Sequence, residues 1–108
     1  MTVTISASRL MLATLVAVGG VVAAHSGAAE GKASYDQKCQ SCHSIGGQGG
    51  KMANLGGPLD GVGAKRDAVW LKTYIGDPKS KVPDAKMPKL KLSDQELDDL
   101  VAYVLTLK

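Results

Sequence analysis

The sequence predicts an all-α domain in which about three to four helices are joined by long loops. Apolar residues recur at helical spacing near the C-terminus, and no alternating apolar run long enough for a useful strand occurs anywhere. Glycine accounts for 13 of the 108 residues and is concentrated in the middle of the chain, which predicts a long loop there. A chain of this length forms one small domain, which excludes a multidomain enzyme.

The N-terminus has the layout of a secretory signal peptide. Arg9 precedes an uncharged apolar run from Leu10 to Ala24, and a small polar stretch follows up to Ala29. The run is shorter than the ~20 residues that a membrane-spanning helix needs, so a cleaved leader is favoured over a retained anchor. We predict a signal peptide over residues 1–29, with residue 24 as the alternative end, a domain over residues 30–108, and a periplasmic location.

The charge is mild but unevenly distributed. The formal net charge of the chain is +3, which is too small to predict binding to nucleic acid. A basic segment over residues 79–91 is followed by an acidic segment over residues 94–99. The basic segment is either an ordinary solvated face or a surface that docks an acidic partner. Its lysines are Lys79, Lys81, Lys86, Lys89 and Lys91.

The first half of the domain is predicted to contain one helix and one loop. The helix runs from Gly31 to about His43, with Tyr35 and Cys39 four residues apart on one face. Residues 46–63 form the glycine-rich loop. It does not match a phosphate-binding loop, because the lysine in it is followed by methionine rather than by serine or threonine.

The second half is predicted to contain two helices. Asp67 to Ile75 forms a short helix with Trp70 and Tyr74 one turn apart, and the proline-containing residues 76–92 form a loop. The last helix is the clearest element, because Ser93 and Glu96 match a capping box. Apolar residues then follow at helical spacing: Leu97, Leu100, Val101, Val104 and Leu105.

Both cysteines of the chain lie in the segment Cys39-Gln40-Ser41-Cys42-His43. A thioredoxin-like redox pair belongs in a βαβ context, which this sequence lacks. A closed zinc site needs four ligands, and the only other histidine, His25, lies in the predicted leader. Attachment of a c-type haem needs nothing beyond this motif and is the interpretation that we favour.

The spacing of the motif suits haem attachment. Residues i and i+3 of one helical turn face the same way, so Cys39 and Cys42 can each form a thioether to one vinyl group on the same edge of the porphyrin. His43 then lies beneath the macrocycle, where its imidazole can bind the iron. The sequence therefore predicts one covalently bound haem c per chain.

Two methionines outside the leader, Met52 and Met87, are candidates for the sixth position on the iron. Met87 lies between Pro83 and Pro88, which stiffen the loop around a side chain that must present one sulfur atom. Met52 follows His43 too closely, in a glycine-rich stretch, so we favour Met87. The competing interpretation of Met87 is a methionine that fills a gap in the core.

Taken in order, these features resemble a small bacterial class I c-type cytochrome over residues from about Gly31 to Lys108. Beyond the haem motif, the resemblance rests on Gly57-Pro58 with Leu59, on Met87-Pro88, and on the closing segment Leu100-Val101-Ala102-Tyr103. It implies a cytochrome c-like fold wrapped around one covalently attached haem.

The resemblance also implies roles for residues outside the motif. The carbonyl of Pro58 would accept a hydrogen bond from Nδ1 of His43, which orients the ring. Arg66 and Trp70 would lie near the haem propionates, although Trp70 has an alternative role as a core residue. Gly31 and Tyr35 would lie where the first helix crosses the last, near Tyr103.

Together, the ligand set and the resemblance predict a periplasmic monohaem electron carrier rather than an enzyme. Iron ligated by both His43 and Met87 has no open position for a substrate. The mature form is expected to be soluble and monomeric, and to dock an acidic redox partner against the five lysines. Two alternatives stay open: a haem enzyme or gas sensor whose sixth ligand is displaced, and a cytochrome subunit of a larger oxidoreductase complex.

Overall fold

The computed structural model describes residues 27–108, so most of the predicted signal peptide, residues 1–26, lies outside the described residues. Within the described part, three helices are longer than one turn: α1 (Gly27–Lys38), α4 (Ala68–Gly76) and α6 (Asp94–Val104). The remaining helices are short: α2 (Ala53–Gly56), α3 (Val62–Lys65) and α5 (Pro78–Lys81). No helix within residues 27–108 is long and apolar enough to cross a membrane.

The first and last helices cross at Gly31, as the resemblance implies. A Cβ atom on Gly31 would lie 1.9 Å from the carbonyl oxygen of Asp99 and 2.8 Å from the Cβ of Tyr103, so only glycine permits this approach. One turn further along α1, the ring of Tyr35 packs against the ring of Tyr103 with their centroids 5.6 Å apart. The crossing therefore fixes α1, and the motif that follows it, against α6.

Helix α6 has the predicted capping box, because the side chain of Ser93 accepts from the amide of Glu96 and Glu96 reaches back to the amide of Ser93. Its apolar face packs against α4, where the core cluster is formed by Leu71, Ile75, Val101 and Val104. Leu100 is 1% exposed and is among the most deeply buried side chains. This core forms one wall of the site described below.

Helix α4 begins one residue later than predicted because Asp67 is its N-cap. The Asp67 carboxylate accepts from the amide of Trp70 at 2.8 Å. After α4, the predicted loop over residues 76–92 contains one helical turn, α5, with Pro78 in its first turn. The loop prediction was therefore wrong over Pro78–Lys81.

The first helix ends at Lys38, before the predicted end near His43. The chain instead makes a hydrogen-bonded turn over Cys39–Cys42 and becomes extended at His43. This strand, β1 (His43–Ile45), lies between β2 (Gln48–Gly49), which is antiparallel to it, and β3 (Gly57–Pro58), which is parallel. The small sheet was not predicted. It ties the haem motif to the segment Gly57–Pro58.

Candidate haem site

A cavity of about 250 Å³ opens between α1, α4 and α6. Three residues of the predicted haem set, Cys39, His43 and Met87, lie on its wall. Most of the remaining wall is apolar, and includes Leu59, Val62, Leu71, Ile75, Leu100 and Val104. A largely apolar cavity with a few convergent donor groups is typical of a cofactor site.

Two further cavities share His43 and Met87 with the first. The larger, of about 580 Å³, is also lined by Cys42, Leu55 and Pro88, and the smaller is lined by both cysteines. Both thiols, the imidazole and the thioether of Met87 therefore converge on one region of the molecule. The structure brings together all the predicted attachment and ligand residues.

The turn after α1 places the two cysteines. The amides of Cys42 and His43 both donate to the carbonyl of Cys39, at 3.1 Å each, so helical hydrogen bonding continues for one turn beyond α1. The residues i and i+3 therefore stay on one side of the chain, as the attachment chemistry requires. The two cysteines form no disulfide. Burial raises the pKa of the Cys39 thiol above its ordinary value.

The imidazole of His43 is oriented by a backbone carbonyl. Its Nδ1 lies 3.1 Å from the carbonyl oxygen of Gly57, not that of Pro58, and this corrects the prediction by one residue. The parallel register explains the difference, because Gly57 lies opposite His43 whereas Pro58 lies opposite Ser44. With Nδ1 engaged in this way, Nε2 is the ring nitrogen left for a metal.

Gly56 is a site residue that the sequence analysis missed. A Cβ atom on it would lie 2.2 Å from the carbonyl oxygen of Cys42 and 2.6 Å from Cε1 of His43. Glycine is therefore needed for the chain to pass this close to the imidazole. Its only sequence signal is its place directly before Gly57-Pro58, and many other glycines in this stretch have no comparable contact with the ring.

The two candidate methionines differ in position. Met87 is half-buried and lines all three cavities that contain His43. Met52 is 50% exposed and lines none of them. Met87 is therefore the methionine whose surroundings suit a ligand of a metal held by His43.

Arg66 and Trp70 lie on the wall of the first cavity together with Tyr74. The guanidinium carbon of Arg66 lies 4.1 Å from the centroid of the Trp70 ring, and Trp70 in turn stacks on Tyr74 with centroids 4.9 Å apart. Trp70 is also packed against the core cluster, so the two interpretations of this residue, cofactor contact and core, are compatible.

Tyr35, which lines the same cavity, carries the one buried side-chain polar atom without a hydrogen-bond partner in the described part of the chain. The residue is 3% exposed, and desolvation raises the pKa of its hydroxyl to about 12, so the phenol is neutral at physiological pH. Buried polar groups are normally satisfied, so an orphaned hydroxyl on this wall is consistent with a cavity that is completed by another group.

These residues fit a covalently attached haem. Two thiols three residues apart, an oriented imidazole and a thioether surround an apolar space, which is the donor set of a c-type haem with a soft sixth ligand. Zinc fits less well, because no group of three or more His, Cys, Asp or Glu side chains within residues 27–108 is arranged to hold a metal ion.

The comparisons with known proteins agree with this geometry. Residues 28–108 match the family model described as cytochrome c. Cytochrome c-550 of Nitrobacter winogradskyi is 36% identical over 96 residues, which cover 68% of this chain and 84% of that protein. Cytochrome c-554(547) of Halothiobacillus neapolitanus is 36% identical over 92 residues, which cover 75% of this chain and 97% of that protein.

A third relative is more distant. Cytochrome c2 of Rhodoplanes tepidamans is 30% identical over 89 residues, which cover 63% of this chain and 81% of that protein. No solved structure gives a significant match. On the family match and these relatives, the chain belongs to the cytochrome c family and is a small class I c-type cytochrome.

Proposed function

We propose that this chain is a periplasmic one-electron carrier with one haem, attached through Cys39 and Cys42 and ligated by His43 and Met87. The observation that carries the proposal is that His43 and Met87 line the same three cavities. Each cysteine also lines two of these three cavities. The haem, when bound, supplies an iron that gains one electron on reduction and loses it on oxidation. The family membership supports the coarser part of this proposal, an electron-carrying c-type cytochrome.

His43 would supply one protein ligand to the iron, from a ring held in a fixed orientation. The hydrogen bond from Nδ1 to the carbonyl of Gly57 sets the ring plane and raises the basicity of Nε2. The backbone at Gly56 packs against the ring and limits its rotation. An imidazole held by both contacts changes position little between oxidation states.

Met87 would supply the second protein ligand to the iron. Its thioether is neutral and soft, so it favours ferrous iron and raises the reduction potential relative to a second histidine. Pro88 follows it directly and lines two of the cavities with it, which keeps the backbone at this point close to the site. If His43 and Met87 both bound the iron, no position on it would remain for a substrate, which favours electron transfer over catalysis.

The lysine patch, defined as Lys79, Lys81, Lys86, Lys89 and Lys91, is the proposed docking surface. All five side chains are exposed, and none forms an ion pair within residues 27–108. The patch flanks Met87 in sequence, and Lys86 lines a cavity with it. Exposed lysines without ion pairs near the site would attract an acidic redox partner and speed its encounter.

Intact mass of the exported protein tests the proposal. We expect the mass of a processed chain plus one haem, and loss of that haem in the double variant Cys39→Ala/Cys42→Ala. Ser41→Ala, a change of an exposed residue within the same turn, is the matched control and should keep the haem. A wild-type chain without haem, or a double variant that retains it covalently, would contradict the proposed attachment.

A further inference from the structure

We infer that a cavity between α5 and residues 85–89 binds a divalent oxyanion of the phosphate class, and that the bound anion lowers the reduction potential of the iron. The second part of this inference rests on the proposed function, because it needs Met87 as a ligand. The cavity has a volume of about 340 Å³. Since one water molecule takes up about 30 Å³, this space holds an oxyanion together with part of its hydration shell.

The cavity lies beside the haem site without being part of it. Neither the two cysteines nor His43 lies on its wall. Met87 and Pro88 do, and the same two residues line two of the cavities that contain His43. A ligand in this cavity would therefore sit next to the segment that presents Met87 and would leave the space for the haem free.

Both walls of the cavity are held by the backbone. On one side, Pro78 is fully buried, and Ser80 donates to the carbonyl of Asp77 through its amide at 3.0 Å and through its hydroxyl at 2.7 Å. On the other side, the amide of Ala85 donates to the carbonyl of Val82 at 2.9 Å. The charged side chains around the cavity therefore project from backbone in defined positions.

The charges on the wall select the class of ligand. Lys79, Lys86 and Lys89 lie on the wall, and Asp77 is the one acidic residue there, so three ammonium groups and one carboxylate give a formal charge of +2. None of these lysines forms an ion pair with another residue of the described chain. Ammonium groups only donate, and phosphate groups carry a charge of about −1.5 to −2 near neutral pH on several acceptor oxygens. A divalent oxyanion matches this charge, whereas chloride would leave half of it uncompensated.

The position of the cavity couples the anion to the iron. Ferric iron carries one more positive charge than ferrous iron, so a negative charge bound beside the Met87 segment stabilises the ferric state. The ferric protein then binds the anion more tightly than the ferrous protein does. By linkage, the reduction potential falls as the anion concentration rises.

A nuclear magnetic resonance titration of the ferric holoprotein with inorganic phosphate tests binding. We expect saturable shifts of the amides of residues 77–79 and 85–89, and none with chloride at the same ionic strength. Lys79→Gln/Lys89→Gln should weaken binding about tenfold or more, because it removes two of the charged donors. Lys81→Gln/Lys91→Gln is the matched control, since it removes the same charge from lysines of the patch that do not line the cavity. Shifts that do not saturate, or an equal loss in both variants, would overturn the inference.

Two further arms test the charge argument. Asp77→Asn should tighten phosphate binding, because it removes the opposing charge and Asp77 makes no side-chain cap for α5. Dimethyl phosphate, a monovalent phosphodiester like that of a lipid headgroup, should bind more weakly than inorganic phosphate. Weaker binding in Asp77→Asn, or tighter binding of the diester, would overturn the assignment to a divalent oxyanion.

Potentiometry of the holoprotein tests the coupling to the iron. The midpoint potential should be lower in phosphate than in chloride at equal pH and ionic strength, and Lys79→Gln/Lys89→Gln should abolish the difference. Equal potentials in wild type would overturn the coupling. The failures are distinguishable: phosphate binding to a protein whose ferric spectrum lacks methionine coordination refutes the proposed ligation, and methionine coordination without phosphate binding refutes this inference alone.

Discussion

Nδ1 of His43 lies 3.1 Å from the carbonyl oxygen of Gly57, across the two strands that join the haem motif to the segment Gly57–Pro58. The parallel pairing places this carbonyl opposite the histidine, and Gly56 lets the backbone approach the ring. The orientation of the His43 ring is therefore set by a sheet of only a few residues. Two consequences of this arrangement are that Gly56 cannot be enlarged and that the carbonyl opposite His43 belongs to Gly57 rather than to Pro58.

Gly56→Ala should destabilise the holoprotein and weaken the His43 orientation. The added Cβ would overlap the carbonyl oxygen of Cys42 and the imidazole, and overpacking of this kind typically costs about 1–3 kcal/mol. The measurement is thermal unfolding of purified holoprotein. Gly76→Ala is the matched control, because its Cβ would meet only a flexible Leu97 methyl at 3.3 Å. Equal melting temperatures for the two variants would show that Gly56 is not needed.

Neutralising the lysine patch should slow reaction with a negatively charged partner. Lys86→Gln/Lys89→Gln removes two charges beside Met87, so the second-order rate with an anionic one-electron reagent should fall several-fold at low salt and converge with wild type at high salt. Lys32→Gln/Lys72→Gln removes the same charge from lysines that pair with Asp36 and Asp98. A rate that is independent of salt, or an equal loss in both variants, would contradict docking at the patch.

The Lys38–Glu96 pair should contribute to stability only above acidic pH. The hydrogen bond from Lys38 lowers the pKa of Glu96 from its ordinary 4.5, with the Ser93 amide as a smaller cause. Because the folded-state pKa is depressed, the contribution is present above pH 4.5 and is lost as the pH falls through the lower, folded-state value.

Melting temperature as a function of pH checks this. Lys38→Gln should lower the melting temperature near neutral pH. In acid, the melting temperatures of the variant and of wild type should become equal. Lys65→Gln, which removes an exposed lysine without an ion pair in the described residues, should show no such convergence. If the melting temperature of Lys38→Gln lay below that of wild type by the same amount at every pH, the ion pair could not be the cause of the difference.

Without haem, the chain should be largely unfolded. The apolar side chains of the cavity wall come from α4, α6 and the segment around α3. Without the cofactor these side chains would surround a cavity instead of packing against a filled core, and such a cavity destabilises the fold. Far-ultraviolet circular dichroism of the Cys39→Ala/Cys42→Ala chain should show little helix. A compact, helical apoprotein would contradict the view that the haem completes the core.

Much of this architecture could be predicted from sequence because its signals are local. The capping box of Ser93 and Glu96 and the apolar spacing that follows define α6. The haem motif and the proline-flanked Met87 predict the attachment and ligand residues, and the structure places them around the same cavities. Each of these signals lies within one segment of the chain and needs no knowledge of what packs against it.

What sequence reasoning missed depends on contacts between distant segments. The strands are two or three residues long, too short for alternation to appear. His43 Nδ1 lies against the carbonyl of Gly57 rather than that of Pro58, because the register of the parallel strands places Gly57 opposite His43. Only the folded sheet defines this register. Gly56 is essential because the imidazole of His43 lies against it, and nothing in a glycine-rich stretch marks one glycine as different from its neighbours.

The proposed function depends most on Met87 as the sixth ligand. The ferric absorption spectrum reports this bond directly, because a weak near-red charge-transfer band accompanies methionine–iron coordination. We expect the band in wild type and in Met52→Ala, and its loss in Met87→Ala. Absence of the band from the wild-type protein, or its persistence in Met87→Ala, would contradict the proposed ligation.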